Sequence, residues 1–286
     1  MKKLLTILMA AAMLLSVCAL TACGGTTEEA AEAATEEVEE TAEEAAEEVA
    51  EEASETASGE FTTVEAGKLH MATNAAFPPY EMTADDGSFE GIDVEVATAI
   101  AEKLGLELVV DDMDFDAALI AAQNGKSDMV MAGVTVNEER QAVMDFSDSY
   151  ATGVQVVIVP EGSDITLDTL GDQQIGTQRG TTGYIYCSGD YGEDHVISYD
   201  NGITAVQALQ NGQVDCVVID SAPAHALVAA NTGLTILDTE YVTENYAIGF
   251  PKGSDLLPAV NGALAELIAD GTVQSIVDKY ISPDAE

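Results

Sequence analysis

Arg140 is one of two arginines in a chain of 286 residues that carries 52 acidic side chains. It follows the run Met131-Ala-Gly-Val-Thr-Val-Asn-Glu-Glu139. A guanidinium presents a rigid fork of N–H donors that grips a carboxylate through two parallel hydrogen bonds. Gly133 would let backbone approach a bound molecule closely, and Thr135 adds a hydroxyl beside it. The same spacing also fits an arginine held by Glu138, Glu139 or Asp145 in a surface network. Metal chemistry has no comparable pattern. His70, His195 and His225 are isolated, no Cys or His spacing suits a metal, and no cofactor is expected. His70 lies on a strand-like run and reads as structural.

The elements that must position Arg140 alternate between strand and helix. Lys68–Thr73 reads as a strand, and Asn74–Tyr80 as a loop stiffened by Pro78 and Pro79. Gly91–Glu95 leads into a helix over Val96–Leu104 with Gly105 as its cap. A strand over Leu106–Val110, an amphipathic helix over Phe115–Gln123 stopped by Asn124-Gly125, and a buried strand at Asp128–Ala132 follow. The plan then restarts. Strands are expected at Val154–Val159, Gln174–Gln178, Val196–Tyr199 and Asp215–Ile219, with a helix after Arg179–Gly183 and another at Ile203–Leu209. A strand at Tyr246–Phe250, and a helix near Leu257–Leu267 together with Tyr280, close the chain. The stretch Ala118-Leu-Ile-Ala-Ala-Gln-Asn-Gly-Lys-Ser-Asp-Met-Val-Met is echoed by Ala205-Val-Gln-Ala-Leu-Gln-Asn-Gly-Gln-Val-Asp-Cys-Val-Val. An α/β fold with much parallel pairing, in two similar lobes, is predicted.

Charge and the amino terminus narrow the setting. Lys2 and Lys3 precede an apolar run that ends in Leu20-Thr-Ala-Cys23, which has the form of a secretory signal. The run is short for a membrane span and is interrupted by small residues. Residues 24–60 hold 15 glutamates with no lysine or arginine, too few apolar groups to form a core, and are expected to be a tether. From Phe61 onward 37 acidic and 7 basic residues give 7 − 37 = −30. Such a surface argues against nucleic acid and anionic headgroups as partners. Cys187 and Cys216 could pair after export, or Cys216 could be a small buried thiol in its apolar run.

Several stretches together resemble the family 3 extracellular solute-binding proteins, the amino-acid receptors of ABC transporters. They are Ala72-Thr-Asn-Ala-Ala-Phe-Pro-Pro-Tyr-Glu81, Gly91-Ile-Asp-Val-Glu95, Met113-Asp-Phe115, Ala132–Arg140, Asp145-Phe-Ser-Asp148, Gly176-Thr-Gln-Arg-Gly-Thr-Thr182 and Gly249-Phe-Pro-Lys-Gly253. The resemblance implies two α/β lobes around a cleft: 61–155 with 247–286, and 156–246, hinged near 153–159 and 245–251. It implies that Arg140 and Thr135 hold a ligand α-carboxylate, completed by the amides of Thr181 or Thr182 at a helix start, where N–H groups favour anions. Asp220 would pair with the α-ammonium, with the Gly133 carbonyl as second acceptor. Phe77 and Phe115 would sandwich the apolar stem. Asn74 and Gln178 would face the ligand side chain, and their amides suit a neutral polar one such as glutamine or asparagine. Without the resemblance, the two phenylalanines also fit plain core packing, and Asp220 a strand-end cap or surface charge.

Leu20-Thr-Ala-Cys23 resembles a lipobox, implying a lipid on Cys23, a membrane-anchored monomer outside a Gram-positive cell, and delivery of a free amino acid to a permease. The rival reading from another class is an enzyme of the cyclohexadienyl dehydratase kind, on the same fold. It would need a proton donor in the cleft beyond the ligand-gripping pair, and no surplus His, Lys or Glu maps there. A sensor ectodomain would need a membrane helix and a signalling domain.

Overall fold

Apolar runs bounded by polar turns become strands covered on both faces, and the stretches between them become helices with one apolar stripe. The computed structural model describes residues 61–238 and 241–281. The signal segment, Cys23 and the acidic tether lie outside the described residues.

The first half of the fold holds β1 (Lys68–Thr73), β2 (Ala76–Phe77), β3 (Glu81–Thr83), β4 (Phe89–Glu90), α1 (Ile92–Leu104), β5 (Glu107–Asp112), α2 (Phe115–Gln123), β6 (Met129–Val130) and α3 (Glu138–Val143). A long strand, β7 (Met144–Pro160), leads into β8 (Ile175–Gln178), α4 (Thr182–Tyr191), β9 (Val196–Tyr199), α5 (Gly202–Gln210), β10 (Cys216–Asp220), α6 (Ser221–Ala230) and β11 (Leu234–Ile236). The chain returns through β12 (Val242–Pro251) to α7 (Leu257–Ala269) and α8 (Thr272–Tyr280).

Among the described residues, nine strands make one sheet in the order β5-β1-β6-β12-β7-β10-β8-β9, with β11 alongside β7. Each flank is parallel: β1 pairs with β5 and β6, and β8 with β9 and β10. Antiparallel β7 and β12 run between the flanks, paired from Val242 opposite Gln155 to Pro251 opposite Met144, with register shifts between Tyr246 and Ala247 and between Ala247 and Gly249. Both are longer than the expected stretches at 154–159 and 246–250. Their outer halves are polar and half-exposed, so hydrophobic runs alone mark only the part that crosses the core. The small sheet β2-β3-β4 and helices α3, α6 and α8 were not foreseen.

Local stops are where the sequence placed them. Gly105 caps α1 at φ 67°, its N–H reaching the carbonyls of Ala101 and Glu102. Helix α1 starts at Ile92 rather than Val96, because Gly91, at φ 128°, turns against the Tyr80 carbonyl and the helix begins at once. The internal echo is structural. Helices α2 and α5 both end at Asn-Gly, and the aspartates that follow do the same work. Asp128 accepts the His70 N–H at 2.7 Å and Asp215 accepts the Gln174 N–H at 2.8 Å, each tying one strand to its neighbour. His70 is structural, its Nδ1 3.0 Å from Asp111. Cys187 and Cys216 are free, fully buried thiols in one apolar cluster, so the disulfide alternative does not hold. Burial pushes both thiols up to about 12.

Candidate functional site

Helix α3 is short, and its cap decides where Arg140 goes. Asn137 accepts the Arg140 backbone N–H at 2.8 Å, anchoring the residue in the first turn. The side chain then turns inward and is 7% exposed. Its Nη1 donates to the Thr135 carbonyl at 2.8 Å, and Nη2 to the Gly180 carbonyl, on the other flank, at 3.1 Å. The guanidinium carbon lies 5.4 Å from the centre of the Phe115 ring. The surface-network alternative therefore fails. Asp145 takes Lys252 and the Gly253 N–H instead, while Arg179 is the arginine in a surface pair, with Asp200. Burial lowers the Arg140 pKa, and the charge of Glu244 opposes that.

Ten expected residues surround one cavity of about 10 Å³: Asn74, Phe77, Phe115, Gly133, Thr135, Arg140, Gln178, Thr181, Thr182 and Asp220. Glu81 and Ala132 complete the lining. That volume is room for about one water molecule. Thr181 caps α4 by accepting the Tyr184 N–H at 3.4 Å, and Thr182 is the first helical residue, so the start of α4 faces the Arg140 side of the cavity. Phe77 and Phe115 are buried and serve both cavity and core.

Asp220 is neither a surface charge nor a side-chain cap. It is 8% exposed at the end of β10, and its side chain makes no capping bond to α6. Gln155 Nε2 donates to Asp220 Oδ2 at 2.8 Å and to Glu244 Oε2 at 2.9 Å, bridging two buried carboxylates. Thr182 adds its hydroxyl to Glu244 at 2.9 Å. Burial lifts the Asp220 pKa to about 7, with Tyr246 pulling it down and Glu244 pushing it up. Gly153, on β7, makes room for this group, since a Cβ there would lie 2.4 Å from both Asp220 Oδ1 and the Tyr246 hydroxyl.

Sequence reasoning missed Glu81, Gln155, Glu244 and Tyr246, and with Glu81 in the lining the expectation of no surplus glutamate at the cleft is corrected. A signal existed. Glu244 shares the period-two phase of Tyr246, Ile248 and Phe250 along β12, which is the buried phase.

At the opposite end, two amides meet. Asn74 Nδ2 donates to the Met113 carbonyl at 2.9 Å, which leaves Asn74 Oδ1 to accept Gln178 Nε2 at 3.0 Å. Gln178 Oε1 is then the free end of the relay. Among the described residues, Gln178 Oε1 and Gln155 Oε1 are buried acceptors without a hydrogen-bond partner, while the Tyr246 hydroxyl is in hydrogen-bonding contact with Asp220. A buried acceptor left unpaired costs free energy, so Gln178 Oε1, on the cavity wall, calls for a donor.

Two parallel flanks joined by two continuous strands, with a buried cation and a buried carboxylate facing one cavity between them, define a two-lobed ligand-binding receptor. The chain belongs to the bacterial extracellular solute-binding proteins, family 3, which match residues 69–283. It is 31% identical to the L-cystine-binding protein of Escherichia coli K12 over 225 residues, 77% of this chain and 85% of that one. Among solved structures it is similar to the arginine-, lysine-, histidine-binding protein of Geobacillus stearothermophilus (TM-score 0.72, 31% identity, 75% of this chain and 95% of that one). An ancestral arginine-binding protein bound to glutamine gives TM-score 0.72 and 37% identity, over 76% and 99% of the two chains. These relatives are binding proteins, which fits the receptor and not the dehydratase alternative. No helix of the described residues is long and apolar enough to cross a membrane.

Proposed function

We propose that the ten residues around the cavity bind one free amino acid, which this extracellular receptor captures for an ABC importer. The observation that carries the assignment is a buried carboxylate, Asp220, facing the same cavity as a buried arginine, Arg140. An ammonium supplies N–H donors to Asp220 and the Gly133 carbonyl, and a carboxylate supplies an acceptor for Arg140 and the start of α4. The Arg140 bond to Gly180, the Gln178 bond to Asn74 and the 3.5 Å approach of Thr135 to Thr182 all cross between the flanks. Ligand replaces these contacts. Admitting it requires the lobes, 61–155 with 247–286 and 156–246, to part about the hinge strands near 153–159 and 245–251, a recurrent motion of receptors built this way.

The amide relay supports a ligand side chain that donates a hydrogen bond. Because Met113 demands a donor from Asn74, Gln178 is left presenting Oε1, an acceptor that repels the carboxylate of glutamate or aspartate. Glutamine, bound by one relative, and arginine, lysine and histidine, for which another is named a binding protein, all carry such donors. A neutral donor suits this chain best, with glutamine the leading ligand, since a buried cation needs a compensating charge at that end. Catalysis is not assigned. We further read Cys23 as the lipidated residue that anchors a monomer to the outer face of a Gram-positive membrane, with the acidic segment as spacer.

Unfolding and refolding the purified protein to strip ligand, then screening the twenty amino acids by thermal shift, tests the reading. Mass action raises the melting temperature for a ligand of the native state. Glutamine or another donor side chain should give the largest shift, lost in Arg140→Ala. No shift with any amino acid would overturn the assignment.

A further inference from the structure

Beside the cavity, two carboxyl groups lie in contact where water does not reach. Glu81, on β3, and Asp93, in the first turn of α1, are both 0% exposed. Each Asp93 oxygen accepts one hydrogen bond and keeps a lone pair free. Its Oδ2 takes the Gly133 N–H at 2.9 Å and its Oδ1 takes the Tyr150 hydroxyl at 2.8 Å. Neither Glu81 oxygen meets a donor among the described residues, yet its side chain is in hydrogen-bonding contact with Asp93. Two ionised carboxylates cannot hydrogen-bond, because both only accept. Like charges sharing a buried site do not both ionise readily. One proton on Glu81, donated to Asp93, satisfies both groups at once.

The arrangement has a consequence at the binding site. Gly133 stands at φ 54°, where an added Cβ would lie 2.8 Å from the Phe77 ring and 3.3 Å from Tyr246. Its N–H is tied to Asp93, so the pair sets how the Gly133 backbone faces the cavity. Glu81 itself lines that cavity. We propose that Glu81 and Asp93 form a one-proton pair that positions Gly133, with Glu81 acting as a neutral donor and not as an anion offered to the ligand. This rests on the binding reading above and deepens it: a neutral Glu81 gives a cationic side chain no counter-charge.

The titratable groups facing the pair are Asp112, at the end of β5, Tyr80 and Tyr150. Burial, then the charges of Asp93 and Asp112, hold the Glu81 carboxyl well above the usual range. Burial raises Asp93 to about 6, opposed by Gly133 and Tyr150. Below that value Asp93 takes a second proton and its bond to Gly133 loses charge assistance.

Two measurements test the pair. Infrared difference spectroscopy of the purified protein at about pH 8, above the value at which Asp220 ionises, should show a buried protonated-carboxyl band that Glu81→Gln removes. This needs no ligand, so it stands apart from any failure of the binding reading. Absence of the band overturns the proposal. Calorimetric titration with L-glutamine and with L-arginine supplies the second. Asp93→Asn, which sets an amide among donors, should weaken binding about tenfold or more, and Glu81→Gln, whose amide keeps a donor toward Asp93, should bind more tightly than Glu81→Ala, which has none. A folded Glu81→Gln protein that loses arginine binding, with the parent preferring arginine, would make Glu81 an anion for the ligand and overturn the proposal.

Discussion

Just past β6, five residues after Asp128, the chain reaches Gly133; at the matching place at the end of β10, five residues after Asp215, it reaches Asp220. Up to that point the flanks are built alike. Each has a helix stopped at Asn-Gly, an aspartate that ties a neighbouring strand, and an amide, Asn74 or Gln178, directly after a buried threonine. Beyond it they diverge in charge. The first flank holds its strand end through Asp93 and delivers Arg140; the second presents a carboxylate and the start of α4. One supersecondary plan, used twice, thus yields opposite charges on the two walls of one cavity. A zwitterion is matched only when the walls face each other, which couples binding to closure.

That contrast can be broken at either wall. The largest effect is expected from Arg140→Ala, which leaves the Asp220–Glu244 side without its counter-charge. Affinity for the amino acid should fall by more than about a hundredfold, some 3 kcal/mol or more, by calorimetry. Removing the other wall's charge by pH comes next. Asp220, raised to about 7, is neutral below that pH, and an ammonium needs it ionised. Binding should hold steady above pH 7 and weaken as pH falls through it, approaching about tenfold per unit, with the slope lost in Asp220→Asn. A slope that survives in Asp220→Asn would move the titration elsewhere.

Smaller effects sharpen the comparison. Gly153→Ala drives a Cβ to 2.4 Å from Asp220 and Tyr246, so the urea midpoint should drop by an amount worth about 1–3 kcal/mol. Gly262→Ala, in α7 with open space around it, should raise stability by about 0.5–1 kcal/mol in the same assay. The thiols belong to the second flank alone, and both should stay silent to a thiol reagent until denaturant unfolds the protein, with no change in affinity on Cys216→Ser.

Much of this was legible before any coordinates. The Asn-Gly stops, the Gly105 cap and the repeated helix-aspartate-strand block are local signals, and they became the two flanks. Arg140 was conspicuous because arginine is rare here. Glu81, Asp93 and Glu244 were not, since one acidic residue among 52 does not announce that it is buried. Their phase did: Asp93 lies on the stripe of Ala97 and Ile100 along α1, as Glu244 does with Tyr246 along β12. Helix α6 was not predicted, although Pro223 sits in its first turn, where proline is tolerated.

The amino-acid sequence by itself determined most of the segments that become strands and helices, the Asn-Gly and Gly105 stops, and that one arginine stood out. These follow from periodicity, caps and charge counts, which act over a few residues. Only the tertiary structure decided that Arg140, Asp220 and Glu81 gather around one cavity, with Glu244 bonded to Thr182 beside it. Residues far apart in the chain meet there because β7 and β12 carry both flanks. Whether a carboxyl group keeps its charge or shares a proton depends on what packs against it, and no short stretch of sequence contains that.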